Sequence, residues 1–222
     1  MQRIPEPELM DDPAQAKAYA DADFSEPNVL FSDIFKAHFG SVDFGGYIVD
    51  LGCGPADIAL RLARAYRHCH VHGVDGSEPM LRIATERVVN ASLSDRIALF
   101  QCTMPRVVVP RACYDAVISN SLLHHLANPC SLWNVIKRLA TSGAPILVMD
   151  LMRPPDHNEV ARLVSVYAAD APAVLMKDFE RSLLAAYSID EVVEQLAVAK
   201  LDYLNVRVVS DRHFTVAGRF HG

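Results

Sequence analysis

Positive charge is in short supply: 21 lysines and arginines stand against 27 aspartates and glutamates, for a formal net charge of −6. A surface that grips phosphates needs the opposite balance, so nucleic acid is not an expected partner. Long hydrophobic runs are missing as well. No apolar stretch reaches the roughly 18 residues that a membrane-spanning helix needs, and the opening MQRIPEPELMDDPAQAK is acidic and proline-broken, unlike a signal or transit peptide. A soluble chain with a cytoplasmic location is expected. The five cysteines (Cys53, Cys69, Cys102, Cys113, Cys130) are odd in number and contain no C-x-x-C pair, which suits reduced thiols better than a disulfide framework. Internal repeats, linkers and low-complexity segments are also lacking.

What is present is a chain of 222 residues, 51% of them apolar, enough to bury one sizeable core. Helical spacing runs through ELMDDPAQAKAYADADF and SEPNVLFSDIFKAHFG, so two helices are predicted before the first strand. Strand-like and helical stretches then alternate: YIVDL, ADIALRLARAY, VHGVD, SEPMLRIATERVV, RIALFQC, YDAVISN, NPCSLWNVIKRLA and APILVMDL. Such alternation implies a parallel sheet covered by helices on both faces. Residues 153–187 break the pattern with helical stretches only. At Ser188 the run SIDE offers a capping serine with Glu191 three residues on, and LDYLNVRVVS and RHFTVAGRF close the chain as two strand-like runs.

The chemistry concentrates in VDLGCGPADIAL, residues 49–60. A turn after the first strand of a β-α-β unit lies at the carboxyl edge of the sheet, where ligands bind. Gly52 and Gly54 let a ligand approach the backbone there. A dinucleotide fingerprint needs a third glycine, yet position 57 is Asp, which repels a pyrophosphate and suits an ammonium group. Asp50 says the same. Asp75 closes the next strand and is placed to accept hydrogen bonds from a ribose diol. Ribose plus a cationic amino-acid end describes S-adenosylmethionine better than NAD.

VDLGCGPADIAL, GVDGSEPMLRIA and YDAVISNSLLHHL resemble, in order and spacing, the first, second and fourth motifs of class I S-adenosylmethionine-dependent methyltransferases of small-molecule type. The resemblance covers residues 46–151. It implies an α/β, Rossmann-like three-layer sandwich with a seven-stranded, mostly parallel sheet in the order 3-2-1-4-5-7-6, the last-numbered strand antiparallel. It also implies one methyltransferase domain over 1–222. Within it would lie an N-terminal helical cap (1–45), a cofactor core (46–151), inserted cap helices (153–187), and a closing helix with a strand pair (188–222). Carried over by position, Asp50, Gly52, Cys53 and Gly54 would form the cofactor turn; Asp75 would bind the ribose, with Gly76, Ser77 and Met80 beside the adenosine. Where the family often has an acid near the adenine, this chain has Cys102 and Thr103. Asn120 would lie beside the methionine portion. The product would be S-adenosylhomocysteine.

Two histidine groups invite other chemistry. His68, His70 and His72 share one face of a strand, but they lead into the ribose-binding strand and are expected to be strand-end residues; no metal site is expected. His124 and His125 follow the fourth strand on the ligand side and are the candidate catalytic residues, with at most one facing the acceptor. Tyr19, Phe24, Arg153 and Tyr187 are the candidate substrate or lid residues, with Tyr167, Phe179 and Arg181 as further members of that set; Arg153 either holds an acidic acceptor or pairs with Asp156. The expected activity is in-line methyl transfer to a small-molecule acceptor by a monomer or homodimer. Its rivals are another sulfonium reaction on the same scaffold and a non-catalytic cofactor-binding partner subunit.

Overall fold

The computed structural model describes residues 1–6, 9–40 and 44–222. Two helices lead, α1 (Pro13–Asp21) and α2 (Ser25–Phe39). There follow β1 (Gly46–Leu51), α3 (Asp57–Ala65), β2 (Cys69–Asp75), α4 (Glu78–Asn90), β3 (Ile97–Gln101), β4 (Ala116–Asn120), α5 (Cys130–Leu139) and β5 (Pro145–Leu151). The chain ends with α6 (His157–Tyr167), α7 (Ala173–Ala185), α8 (Ile189–Ala199), β6 (Asn205–Val208) and β7 (His213–Arg219). This is the predicted order. The first helix starts later than its periodicity suggests, because Asp12 caps it by accepting from the Gln15 N–H at 2.8 Å and Pro13 takes the first helical position. Positions 7, 8 and 41–43 of the expected N-terminal cap lie outside the described residues.

The strands form a seven-stranded sheet in the order β3-β2-β1-β4-β5-β7-β6. The pairs β1–β2, β1–β4, β2–β3 and β4–β5 are parallel, while β7 runs antiparallel to both β5 and β6. The expected order and the expected antiparallel strand are therefore both present. The order reverses between β2 and β4 on either side of β1, which opens a crevice at the carboxyl ends of β1 and β4.

Side chains alternate across the central strands and feed two cores. Val49, Leu51, Val117, Ile146 and Val148 pack on one face with Trp133 and Leu132 of α5 and Leu196 of α8. Ile48, Ala116, Ile118, Leu147 and Met149 pack on the other with Phe31 and Phe35 of α2 and Leu62 of α3. Trp133 is fully buried, and its indole N–H donates to Gln195 Oε1 at 3.1 Å, satisfying the one polar atom of the ring. A smaller cluster of Leu151, Val160, Leu163, Leu183 and Ala186 seats α6 and α7 against the end of β5. The helix at 189–199 carries the predicted capping box, Ser188 and Glu191 each accepting from the other's backbone N–H. No helix of the described residues is long and apolar enough to cross a membrane.

Candidate active site

The glycine turn is built by its neighbours. Gly52 has φ +74°, and a Cβ there would lie 2.9 Å from the Cβ of Leu122, so both backbone angle and space demand glycine. The N–H groups of Gly52 and Cys53 donate to Val74 O at 2.8 and 3.0 Å, which ties the turn to β2. Asp75 then links two turns: one carboxylate oxygen accepts from Gly54 N at 2.8 Å, the other from Ser77 N at 2.9 Å. Burial pushes the Asp75 carboxyl upward against these backbone bonds, which favour its charge. Ser77 caps α4 by accepting from Met80 N and donates its hydroxyl proton to Met10 O at 2.7 Å.

Two polar atoms in this crevice are left over. Asp50 Oδ2 and Asn120 Oδ1 are buried without a hydrogen-bond partner among the described residues. The Asp50 carboxyl is 1% exposed, and burial, helped by the charge of Asp75, pushes its pKa up to about 7. Orphaned buried oxygens are costly in a protein interior and point to a donor that arrives with a ligand. The same pocket is walled by Gly52, Cys53, Gly54, Asp75, Gly76, Ser77 and Met80 on the β1–β2 side and by Cys102, Thr103 and Asn120 on its flanks. All eleven residues expected at the cofactor are thus brought together.

The acceptor end is only partly as expected. Tyr19 and Phe24 line the pocket with ring centroids 4.7 Å apart, and burial, then the charges of Asp57 and Asp75, pushes the Tyr19 hydroxyl up to about 12. Arg153 and Tyr187 do not line it. The Arg153 guanidinium donates to Glu191 Oε1 at 2.8 Å rather than pairing with Asp156, which instead caps α6 by accepting from Glu159 N. Tyr187 donates its hydroxyl to Leu126 O at 2.7 Å beneath the Arg3 guanidinium. Tyr167 donates to Asp211, Phe179 packs with the α6–α7 cluster, and Arg181 is exposed; none of them lines the pocket. Asp57 does line it, but it pairs with Arg87 at 3.0 Å, so its charge is partly answered before any ligand arrives.

His124 and His125 form a 3₁₀ turn, Leu123–His125, after β4. Of the pair only His125 lines the pocket. His124 is buried, and its Nδ1 lies 2.5 Å from Asp150 Oδ1, while Asp150 Oδ2 accepts from Leu123 N at 2.6 Å. Burial works against a charged imidazole, yet Asp150 and Glu6 outweigh it and raise the His124 pKa; by the same contacts His124 holds the buried Asp150 below the ordinary carboxylate range. Glu6 comes from the N-terminal strap. Its Oε1 lies 3.2 Å from His125 Nδ1 and 3.6 Å from His124 Nε2. The strap is held by Arg3, whose guanidinium donates to the carbonyls of Ala185, His124 and Leu126, and by Ile4 N donating to Leu184 O.

Sequence reasoning missed Glu6 and Asp150. Asp150 carried a usable signal, an acid at the carboxyl end of a strand, the same feature that marked Asp50 and Asp75. Glu6 carried none, since nothing local says that the strap returns to the end of β4. The histidines of β2 do not converge on a ligand: His72 Nδ1 meets the Tyr114 hydroxyl at 2.8 Å and His70 stacks on Tyr47. His72 is also buried within the strand rather than at its end, because Tyr114 and Phe100 close over it.

Comparison with known proteins follows the same lines. Residues 48–143 match the family model described as a methyltransferase domain. An uncharacterised methyltransferase of Mycobacterium tuberculosis is 33% identical over 118 residues, covering 53% of this chain and 57% of that protein. The 27-O-demethylrifamycin SV methyltransferase of Amycolatopsis mediterranei is 26% identical over 161 residues, 71% of this chain and 54% of that protein. The matched stretches thus span only a little over half the length of these relatives. In fold, a SAM-dependent methyltransferase from Aquifex aeolicus superposes with a TM-score of 0.68 at 21% identity, covering 94% of this chain and 98% of that one. The segment that is similar to a methyltransferase domain, residues 48–143, carries the glycine turn, both strand-end acids and the His124–His125 turn.

Proposed function

We propose that this protein transfers a methyl group from S-adenosylmethionine to a small-molecule acceptor, with residues 46–151 holding the cofactor and the segments 1–45 and 153–187 covering it. The observation that carries the reading is the orphaned, buried carboxyl of Asp50, which shares with Asp75 a crevice whose described lining contains no lysine or arginine. Such a wall repels a diphosphate and receives an ammonium group and a ribose diol.

When bound, S-adenosylmethionine supplies a methyl group already activated on a sulfonium and leaves as S-adenosylhomocysteine. The protein's part is to bind, orient and exclude water. Asp50 offers its unpaired oxygen to the ammonium end, and Asp75 accepts from the ribose hydroxyls with lone pairs its backbone donors leave free. Met80, Cys102 and Thr103 wall the adenine side. Asn120 would offer its unpaired Oδ1 beside the methionine portion. Tyr19 and Phe24 give the acceptor side two aromatic faces, and His125 is its titratable group, placed to take a proton from a hydroxyl or amine acceptor. With acids and aromatics but no described cation on the wall, the acceptor is a neutral or cationic molecule rather than a carboxylate or phosphate.

The test pairs binding with turnover. Calorimetry should show S-adenosylhomocysteine binding, and Asp75→Asn should weaken it about a hundredfold, since a charged acceptor's hydrogen bonds are worth roughly 1.5–3 kcal/mol each. An assay counting S-adenosylhomocysteine formed against a library of neutral and cationic metabolites should then find an acceptor. Tight NAD binding with no response to either sulfur compound would overturn the reading; binding without turnover on any acceptor would leave a cofactor-binding subunit instead.

A further inference from the structure

Among the described residues, Glu6, His124 and His125 are the one group of three side chains of metal-ligating type whose ligand atoms come together, all within 4.8 Å of one another. We propose that these three residues bind a divalent transition-metal ion of the zinc class at the acceptor end of the pocket.

The distances fit an ion better than they fit direct hydrogen bonds. Metal–nitrogen and metal–oxygen bonds of about 2.0–2.1 Å place neighbouring ligands of a tetrahedral ion roughly 3.3 Å apart. Glu6 Oε1 stands 3.2 Å from His125 Nδ1 and 3.6 Å from His124 Nε2. The longer of the two is outside hydrogen-bond range. The two imidazoles are neighbours in the chain, yet the 3₁₀ turn brings their ring centroids to 4.2 Å with a tilt of 35°, so both rings can address one point.

The outer shell is also that of a metal site. Asp150 takes the Nδ1 side of His124 at 2.5 Å, which fixes the ring and turns Nε2 toward Glu6, the carboxylate–histidine–metal arrangement. Glu6 Oε1 is itself held by the Ser182 hydroxyl at 3.0 Å. The two buried or half-buried carboxylates, Glu6 and Asp150, flank His124 from its two ring nitrogens, while the Arg3 guanidinium directs its donors at backbone carbonyls. Two imidazoles and one carboxylate select zinc, cobalt or nickel over magnesium or calcium, which prefer oxygen alone.

His125 lines the pocket, so the fourth position of the ion opens toward the acceptor, the pattern of a catalytic rather than a structural site. A hydroxyl bound there is a far stronger acid than a free one. The ion would thus take over from His125 the task of freeing the acceptor's oxygen for attack, and by ligating Glu6 it would pin the N-terminal strap over the site.

The site is tested without cofactor or turnover. Purified full-length protein, stripped with a chelator and dialysed, is titrated with Co²⁺ followed by visible absorption and with Zn²⁺ followed by calorimetry. One equivalent per chain is expected, with cobalt bands of a low-coordinate nitrogen–oxygen site. Glu6→Gln and His125→Ala, each checked for a native circular dichroism spectrum, should each weaken binding about a hundredfold or more, since even an outer-shell partner is worth roughly 10–100-fold. Absence of stoichiometric binding by the wild type, or affinity unchanged in both variants, overturns the proposal. Because the readout needs no S-adenosylmethionine, its failure leaves the methyl-transfer reading standing, and loss of S-adenosylhomocysteine binding leaves this one standing.

Discussion

Replacing Asp50 by Asn should make the empty protein more stable at pH 8 while removing its grip on the cofactor. The carboxyl is 1% exposed and its pKa is pushed from an ordinary 3.8 to about 7 by burial and by Asp75. Between those values the native state holds a proton that the unfolded chain has released, so stability falls as pH rises through the interval and levels off above about 7. At about 1.36 kcal/mol per pKa unit, the full cost above pH 7 is roughly 4 kcal/mol, a ceiling that water in the open crevice lowers to about 2–4 kcal/mol. Asn keeps the shape without the charge. Its advantage should be small near pH 4 and reach a Tm gain of roughly 5–15 °C at pH 8, using about 2–4 °C per kcal/mol for a chain of this size. S-adenosylmethionine should close most of that gap: at a hundred times its Kd it adds about 2.7 kcal/mol to the wild type and little to the variant. Differential scanning fluorimetry with an external dye, at pH 5 and 8 and with and without cofactor, measures all four cases. A Tm difference that does not change with pH, or equal cofactor stabilisation of both proteins, would refute the account of Asp50 as an uncompensated acid awaiting an ammonium partner.

Other perturbations separate the turn from the scaffold. Gly52→Ala places a Cβ 2.9 Å from Leu122 Cβ at a φ of +74°; it should lower stability by about 1–3 kcal/mol and weaken S-adenosylhomocysteine binding by calorimetry, and unaltered values in both would remove the close approach from the argument. Ser188→Ala deletes one half of the capping box of α8 and should lower stability by about 1 kcal/mol in urea unfolding, with cofactor affinity unchanged, because that helix lies away from the pocket.

The sheet and the cofactor turn were legible because their signals are local. Strand and helix periods, the glycines at 52 and 54 and the acids at 50 and 75 all lie within single β-α-β units, and short-range sterics decide them. The acceptor end was legible only in outline. Tyr19 and Phe24 were identified and face the pocket, but Arg153 does not, since its partner Glu191 lies 38 residues on in the first turn of α8 and draws it away. Asp57 was read as suiting an ammonium group, and Arg87, 30 residues distant, pairs with it. Glu6 meets a histidine pair about 118 residues later, a contact no spacing rule can anticipate. Charged side chains at an edge choose partners by tertiary distance, whereas glycines and strand-end acids are chosen by the backbone beside them.

The chain's one tryptophan gives the molecule a built-in reporter with a defined blind side. Trp133 is sealed in the α5–α8 layer with its indole proton spent on Gln195, and it is absent from the pocket wall. Its emission therefore registers the melting of that layer and the wetting of the indole. The indole itself does not line the crevice beside β1 and β4, and the two are joined only through members of its cluster such as Val74 and Leu126, so intrinsic fluorescence reports first on that layer and on occupancy only at second hand.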